Sequence, residues 1–368
     1  MIYWLIARRG ICFFALRAKQ SLNAIKQGGT KNVIELKGLT KEFEEKSKSR
    51  ASASGGVFRA VDELSLKVEP GEIFGLLGSN GAGKTTTLRM LATMLKPTAG
   101  TAQIAGFDIL TQPEQVRRSI GVLFGGDTGL YDRLSARENI QYFARLYDMD
   151  EEQINLRVEE LCRTFEMKDY IDARCAKFSR GMKQKLGLCC SLVSSPPLIL
   201  LDEPTVGVDP LSRRELWSIL KQFSGEEGVG VLVSTSYMDE SAYCNRTLIM
   251  YEGRLLMDAP PADVIARAEG MCVTVRTPEG LHARQFQSRL AAVPGIINAT
   301  PQGNTVRIIV PHGHPARKKL EEYHPAPAQP DFSDGFMTLL ADQVDLAPQD
   351  IPCLLYTSDA ADDLTRVD

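Results

Sequence analysis

Gly78-Ser79-Asn80-Gly81-Ala82-Gly83-Lys84-Thr85 is the stretch whose residue types and spacing most directly specify chemistry. Its glycines permit a tight backbone path on which consecutive N–H groups converge on a polyphosphate. Lys84 reaches the β and γ phosphates and Thr85 offers a hydroxyl to Mg²⁺. The apolar run Ile73 to Leu77 before it and the helix-forming run Thr86 to Leu95 after it give the order strand, loop, helix. The start of that helix adds a positive dipole end to the same anion, and Thr86 completes the expected nucleotide-binding set. A second pair of groups, Asp202-Glu203, directly follows the apolar run Leu198-Ile199-Leu200-Leu201. Alone, such a pair fits a helix cap or a turn. Downstream of a phosphate loop, it fits Asp202 as a holder of Mg²⁺ through water and Glu203 as the group that orients or deprotonates an attacking water.

These groups need a scaffold, and the chain has the composition for one. Its 368 residues are 43% hydrophobic and 24% charged, which suits a globular protein with one large core and a smaller domain. The net charge of −3 gives no reason to expect a nucleic-acid partner. Eight cysteines are scattered without a Cys-x-x-Cys pair, so neither a zinc site nor a disulfide framework is expected, and a reduced, cytosolic setting fits. No segment supplies the roughly 20 apolar residues of a membrane span. Met1 to Leu16 comes nearest, but Arg8 and Arg9 split it. Residues 1–32 therefore read as an extension or misassigned start ahead of the domain, with a signal peptide as the rival.

Alternation at Val33 to Leu36 and again at Leu64 to Val68 predicts strands, separated by a polar loop from Glu44 to Gly56. Helical periodicity dominates from Ala136 to Ser195, until Pro196-Pro197 breaks it. The runs Leu198 to Leu201 and Val229 to Val233, with a helix expected over Arg213 to Phe223 between them, suit strands buried on both faces of a parallel sheet. Beyond Gly270 the pattern predicts a small α/β domain. It contains a strand at Cys272 to Val275, a helix at His282 to Ala292, strands at Ile296 to Thr300 and Val306 to Val310 turning at Gly303-Asn304, and a last amphipathic helix beginning near Asp334.

The segment Phe178-Ser179-Arg180-Gly181-Met182-Lys183-Gln184 resembles the signature of ABC-type ATPases in its Ser-x-Gly-x-Gln/Lys form. Leu201-Asp202-Glu203-Pro204-Thr205 is similar to that family's second nucleotide motif, and Val208-Asp209-Pro210 to its dimer-contact loop. Covering roughly Val33 to Arg267, the resemblance implies an α/β P-loop NTPase cassette over residues 33–270, with a helical subdomain at about 127–195. The small C-terminal α/β domain would take residues 271–346. It further implies an ATPase using ATP and Mg²⁺, and a head-to-tail dimer with a second cassette. In that dimer Ser179 and Gly181 of one cassette close over the γ-phosphate held by Lys84 of the other, with Asp209 at the contact. Phe43 matches the family's place for the aromatic that stacks on adenine, and Phe58 is its rival.

The pattern departs from the family at two places. No glutamine occurs between Val116 and Ile140, where the family carries one; Gly126 holds the matching place, with Asp127 beside it. The family's switch histidine is replaced by Ser236, and all four histidines of the chain lie beyond residue 280. A serine can hydrogen-bond a γ-phosphate but offers no titratable partner. Loss of one preorganised donor costs about 2.7 to 4 kcal/mol, so ordinary ATP binding with slow hydrolysis is expected unless a fully equipped cassette is paired with this one.

Gly129 to Asn139 is similar to cassettes of sodium-export and antibiotic-resistance exporters, although Ser135 and Glu138 also have a local reason to be there as a capping box. Gly181 to Cys190 with Ser236 looks more like the first cassette of tandem-cassette efflux ATPases. Either likeness implies separate transmembrane transporter subunits and a peripheral place on the cytoplasmic face of the cell membrane. A soluble cassette acting in repair or translation, and a regulatory cassette that only binds nucleotide, are the rivals. The tail, residues 347–368, ends in Cys353-Leu354-Leu355-Tyr356-Thr357-Ser358-Asp359-Ala360-Ala361-Asp362, which resembles translated sequencing adapter and is expected to be non-native from about residue 353.

Overall fold

The computed structural model describes residues 32–44, 56–125 and 129–343. The expectations for the N-terminal extension, most of the polar loop after Glu44, Gly126, Asp127 and the tail lie outside them. The chain forms two compact units. One runs to Ser236 and takes in Tyr243–Leu255; the other comprises Tyr237–Ala242 and the chain from Leu256 onward.

The first unit is built, in order, from β1 (Ile34–Glu44), β2 (Val57–Val68), β3 (Ile73–Gly78), α1 (Lys84–Leu91), β4 (Ala99–Ile104), β5 (Phe107–Asp108), α2 (Pro113–Arg118) and β6 (Ile120–Leu123). There follow α3 (Ala136–Leu146), α4 (Glu151–Thr164), α5 (Arg180–Ser191), β7 (Leu198–Asp202), α6 (Pro210–Gln222), β8 (Gly230–Thr235) and β9 (Arg246–Tyr251), with β10 (Arg254–Ala259) next in the chain. One sheet has the order β2-β1-β4-β5, and the other the order β10-β9-β3-β8-β7-β6. In the second sheet the β3–β8, β3–β9, β7–β8 and β6–β7 pairs are parallel.

Strands β3, β7 and β8 are buried at every position, which is why their sequences are continuous apolar runs rather than alternations. Their side chains still alternate between faces, and the two faces feed different cores. Ile73, Ile199, Leu201, Val231 and Val233 join Ile140, Val158, Leu186 and Trp217 of the helical layer. Phe74, Leu76, Leu198, Leu200 and Leu232 join Ile34, Leu36, Leu66 and Ile104 of the antiparallel sheet, together with Leu88 and Leu91 of α1. Loops at the strand ends are thus held by cores on both sides.

Helix α3 starts as expected: Ser135 accepts from the Glu138 N–H, and the Glu138 carboxylate accepts from the Ser135 N–H. Replacing Ser135 by Ala should lower unfolding stability by about 1 kcal/mol, read as the shift of the denaturation midpoint at constant slope. Two boundaries differ from expectation. Helix α1 begins at Lys84 rather than Thr86 because Gly83, at φ 103°, forms its N-cap. It stops at Leu91 rather than Leu95 because Thr93 turns left-handed and the Met94 and Leu95 N–H groups both fold back to the Arg89 carbonyl. Helix α6 begins three residues before Arg213, since Asp209 caps it and Pro210 suits its first turn.

The second unit contains α7 (Pro261–Ala266), β11 (Cys272–Arg276), α8 (Ala283–Ala291), β12 (Asn298–Gln302), β13 (Thr305–Ile309), α9 (Ala316–Leu320), β14 (Ala326–Pro327) and α10 (Phe332–Gln343). The sheet order is β12-β13-β11-β14, with antiparallel pairs throughout. The Gly303-Asn304 hairpin sets Gln302 opposite Thr305, so β12 lies two residues later than expected. One face packs Val275, Val306 and Ile308 against Phe286 and Leu290 of α8. At the start of α10, the Asp334 carboxylate takes the Arg307 guanidinium and the Asp331 N–H.

Candidate functional site

The loop after β3 can be tight only because it is built of glycine where backbone crowds it. A Cβ on Gly78 would lie 2.3 Å from the Met250 carbonyl oxygen. One on Gly83 would lie 2.4 Å from the Ala60 carbonyl oxygen, at a φ that L side chains avoid. Ala82 is buried and its N–H donates to the Ser79 carbonyl. Thr86 lies half-buried in the first turn of α1.

Lys84 is only 4% exposed. Its Nζ donates to the carbonyls of Gly78 at 2.8 Å and Ser79 at 3.1 Å, and reaches the Ser236 hydroxyl at 3.3 Å. Burial pushes the Lys84 pKa down, opposed by the nearby charges of Glu203 and Asp202. A cation desolvated in this way gains strongly from an incoming anion. Beside it, the Thr85 hydroxyl donates to Asp202 Oδ1 at 3.1 Å.

Three of the predicted groups converge with these. Asp202 ends β7, and Glu203 follows it at φ 46°. Ser236 lies just past β8, with its Oγ 2.7 Å from Glu203 Oε1 and 3.1 Å from Asn80 Oδ1. Since a serine hydroxyl carries one proton, the shorter contact assigns it to the Glu203 carboxylate. Gly78, Ser79, Asn80, Lys84, Thr85, Asp202, Glu203 and Ser236 are therefore one connected constellation. Ser234 belongs to it as well and has no counterpart among the expected residues: its hydroxyl donates to Asp202 Oδ1 at 2.5 Å. Only its spacing of two from Ser236, which places both on one face of an extended strand, could have pointed to it.

A second cluster forms at two helix starts. Ser179 caps α5 by accepting from the Met182 N–H, and Asp209 caps α6 by accepting from the Leu211 and Ser212 N–H groups. Those hydrogen bonds, from Ser212 first, hold the Asp209 carboxyl below its usual pKa range. A Cβ on Gly181 would meet Ser212 Oγ at 3.0 Å and Asp209 Oδ2 at 3.5 Å, so the two helix starts press together there. Phe43 and Phe58 are direct cross-strand partners in the β1–β2 pair, and both rings are exposed. The two candidates for the stacking aromatic are thus neighbours.

The donor set fits a magnesium nucleotide. The Thr85 hydroxyl and Asp202 carboxylate are hard oxygen ligands of the kind Mg²⁺ takes, and the buried Lys84 ammonium supplies positive charge at the glycine-lined loop. With Glu203 and Ser236 alongside, the arrangement can hold a polyphosphate and order a water against it.

Comparison with known proteins gives the family. The family described as ABC transporter matches residues 61–206. The chain is 41% identical over 225 residues to the ABC transporter ATP-binding protein NatA of Bacillus subtilis (strain 168), covering 61% of this chain and 88% of NatA. It is 36% identical over 314 residues to the probable multidrug ABC transporter ATP-binding protein YbhF of Escherichia coli (strain K12). That likeness covers 84% of this chain but 52% of YbhF, so the chain spans about half that relative's length. A solved ATP-binding subunit of an ABC transporter superposes at TM-score 0.54 with 28% identity, over 64% of this chain and 92% of that one. With 41% identity to NatA over 88% of that relative's length, the chain belongs to the ATP-binding proteins of ABC transporters, a family of P-loop ATPases.

Proposed function

We propose that this chain is the ATP-binding subunit of an exporter, residues 33–270 forming its cassette, and that it drives transport through separate transmembrane subunits at the cytoplasmic face of the membrane. The observation that carries the reading is the constellation in which Lys84, Thr85, Asp202, Glu203 and Ser236 meet through direct contacts. The multidrug description of YbhF supports the export direction.

In this reading the loop N–H groups and Lys84 bind the β and γ phosphates of ATP, and Phe43, or its neighbour Phe58, stacks on the base. Thr85 and Asp202 hold Mg²⁺, which when bound neutralises phosphate charge. Glu203 orients the attacking water and takes its proton, with its carboxylate steadied by Ser236. Ser179 and Gly181 then serve the γ-phosphate of a second cassette, with Asp209 at the contact. Their helix-cap hydrogen bonds and close approach to one another, in a cluster of their own, support a site completed by two chains.

The test is to express the full chain together with candidate membrane-protein subunits and isolate the membranes. The expected result is co-purification of the chain with a membrane protein, Mg²⁺-ATP binding, and ATP turnover that rises in the complex. Retention in the soluble fraction with turnover unaffected by any membrane subunit would overturn the transporter reading.

A further inference from the structure

Asp202 and Glu203 are consecutive, yet both face the same catalytic space. In an extended strand successive side chains point to opposite faces, so two neighbouring carboxylates can converge only if the backbone breaks step between them. It does so at Glu203, which adopts a left-handed conformation at φ 46°. For a residue with a long side chain this is a strained state that the surroundings must hold in place.

What holds it is Ser234. The parallel register places Ser234 directly beside Asp202, and the Glu203 N–H donates to both the Ser234 carbonyl at 3.0 Å and the Ser234 hydroxyl at 3.2 Å. The same hydroxyl gives its own proton to Asp202 Oδ1, the oxygen that also accepts from Thr85. Ser234 is fully buried, so no solvent molecule competes for those bonds. Both capacities of one hydroxyl are used. Its acceptor fixes the kinked backbone that aims Glu203, and its donor orients the carboxylate that faces Thr85.

We propose that Ser234 is a positioning residue for hydrolysis, acting through Asp202 and Glu203 to lock the spacing between the metal-holding carboxylate and the water-activating one. This rests on the assignment of those two roles above, and it extends them to a residue with no expected contact to nucleotide. Ser236, two positions on, meets the Glu203 carboxylate and not that of Asp202, whereas Ser234, among the described residues, is hydrogen-bonded to both acids.

The test compares the full-length wild type with Ser234→Ala, Ser234→Cys and Ser234→Thr. Three quantities are followed: ATP binding in EDTA, Mn²⁺ binding to the ATP-loaded protein by electron paramagnetic resonance, and kcat and KM over a Mg²⁺ titration. For Ser234→Ala and Ser234→Cys, kcat should fall about tenfold to a hundredfold, the scale of one lost hydrogen bond to a charged group. Mn²⁺ affinity should fall several-fold, while metal-free ATP affinity and KM for ATP stay within about twofold, because the phosphate loop is untouched. Ser234→Thr, which keeps the hydroxyl, should recover most of the metal affinity and kcat. Should the alanine variant not fold, the near-isosteric cysteine variant carries the same comparison. Wild-type Mn²⁺ affinity and kcat in Ser234→Ala or Ser234→Cys, or losses that threonine does not rescue, would overturn the proposal. A wild-type chain that binds no ATP would instead overturn the functional reading itself.

Discussion

Glu203→Gln in the purified chain is expected to lower ATP turnover by at least about a hundredfold, the scale of a lost general base, while leaving ATP binding intact. The substitution is nearly isosteric, so the left-handed backbone and its hydrogen bonds from the Glu203 N–H to Ser234 remain, and an amide oxygen can still accept from Ser236. What disappears is the capacity to take a proton from water, together with a negative charge 3.9 Å from Lys84 Nζ. That charge opposes a polyphosphate, so ATP should bind as well as before or better. Phosphate release and equilibrium nucleotide binding measured on one preparation separate the two effects. Turnover unchanged in the glutamine variant would remove Glu203 from the chemistry.

The second large effect runs in the opposite direction. Ser236→His should raise turnover about tenfold or more, recovering part of the 2.7 to 4 kcal/mol that a preorganised transition-state donor supplies. In the wild type, the Ser236 hydroxyl sits among Glu203 Oε1, Asn80 Oδ1 and Lys84 Nζ. Its single proton is engaged by the Glu203 carboxylate, so donating to phosphate means giving up that bond. An imidazole has a longer reach and can hold a proton on each nitrogen, so it can face Glu203 and a phosphate oxygen together. ATP affinity should change little. A wild type that already turns over as fast as Ser236→His, with Ser236→Ala equally active, would show that the serine imposes no deficit.

How much of this was legible in the residues depended on how local the cause was. The phosphate loop is contiguous, and its shape follows from glycines within a few positions, so Gly78, Lys84 and Thr85 were recognisable without any fold. The β7 and β8 strands were legible because burial on both faces leaves an unbroken apolar run. Ser135 and Glu138 announced a helix start through a spacing of three. Hidden were the features set by register between distant segments. Ser234 meets Asp202 across 32 positions, and apart from its spacing of two from Ser236 nothing near it marks it as more than a strand-end serine. Phe43 and Phe58 faced each other only once β1 and β2 had paired. The end of α1 was overestimated because Ala92 to Leu95 have good helical composition, while the chain there turns on backbone hydrogen bonds that composition does not encode.

Helix α5 carries Ser179 at its N-terminus, and at its other end the Ser191 carbonyl lies against Gly121 of β6 so closely that a Cβ there would come within 2.0 Å of it. Strand β6 in turn pairs with β7, which delivers Asp202. A close backbone contact of this kind fixes the base of the helix, and the helix is an arm of 12 residues, about 18 Å long at 1.5 Å per residue. Over that length a difference of about 10° in the angle set at Gly121 would shift the Ser179 tip by roughly 3 Å, about the length of a hydrogen bond, so the base contact sets where the tip lies. An arm set so closely against β6 at its base thus ties the place of Ser179 at its tip to the strand pair that carries Asp202.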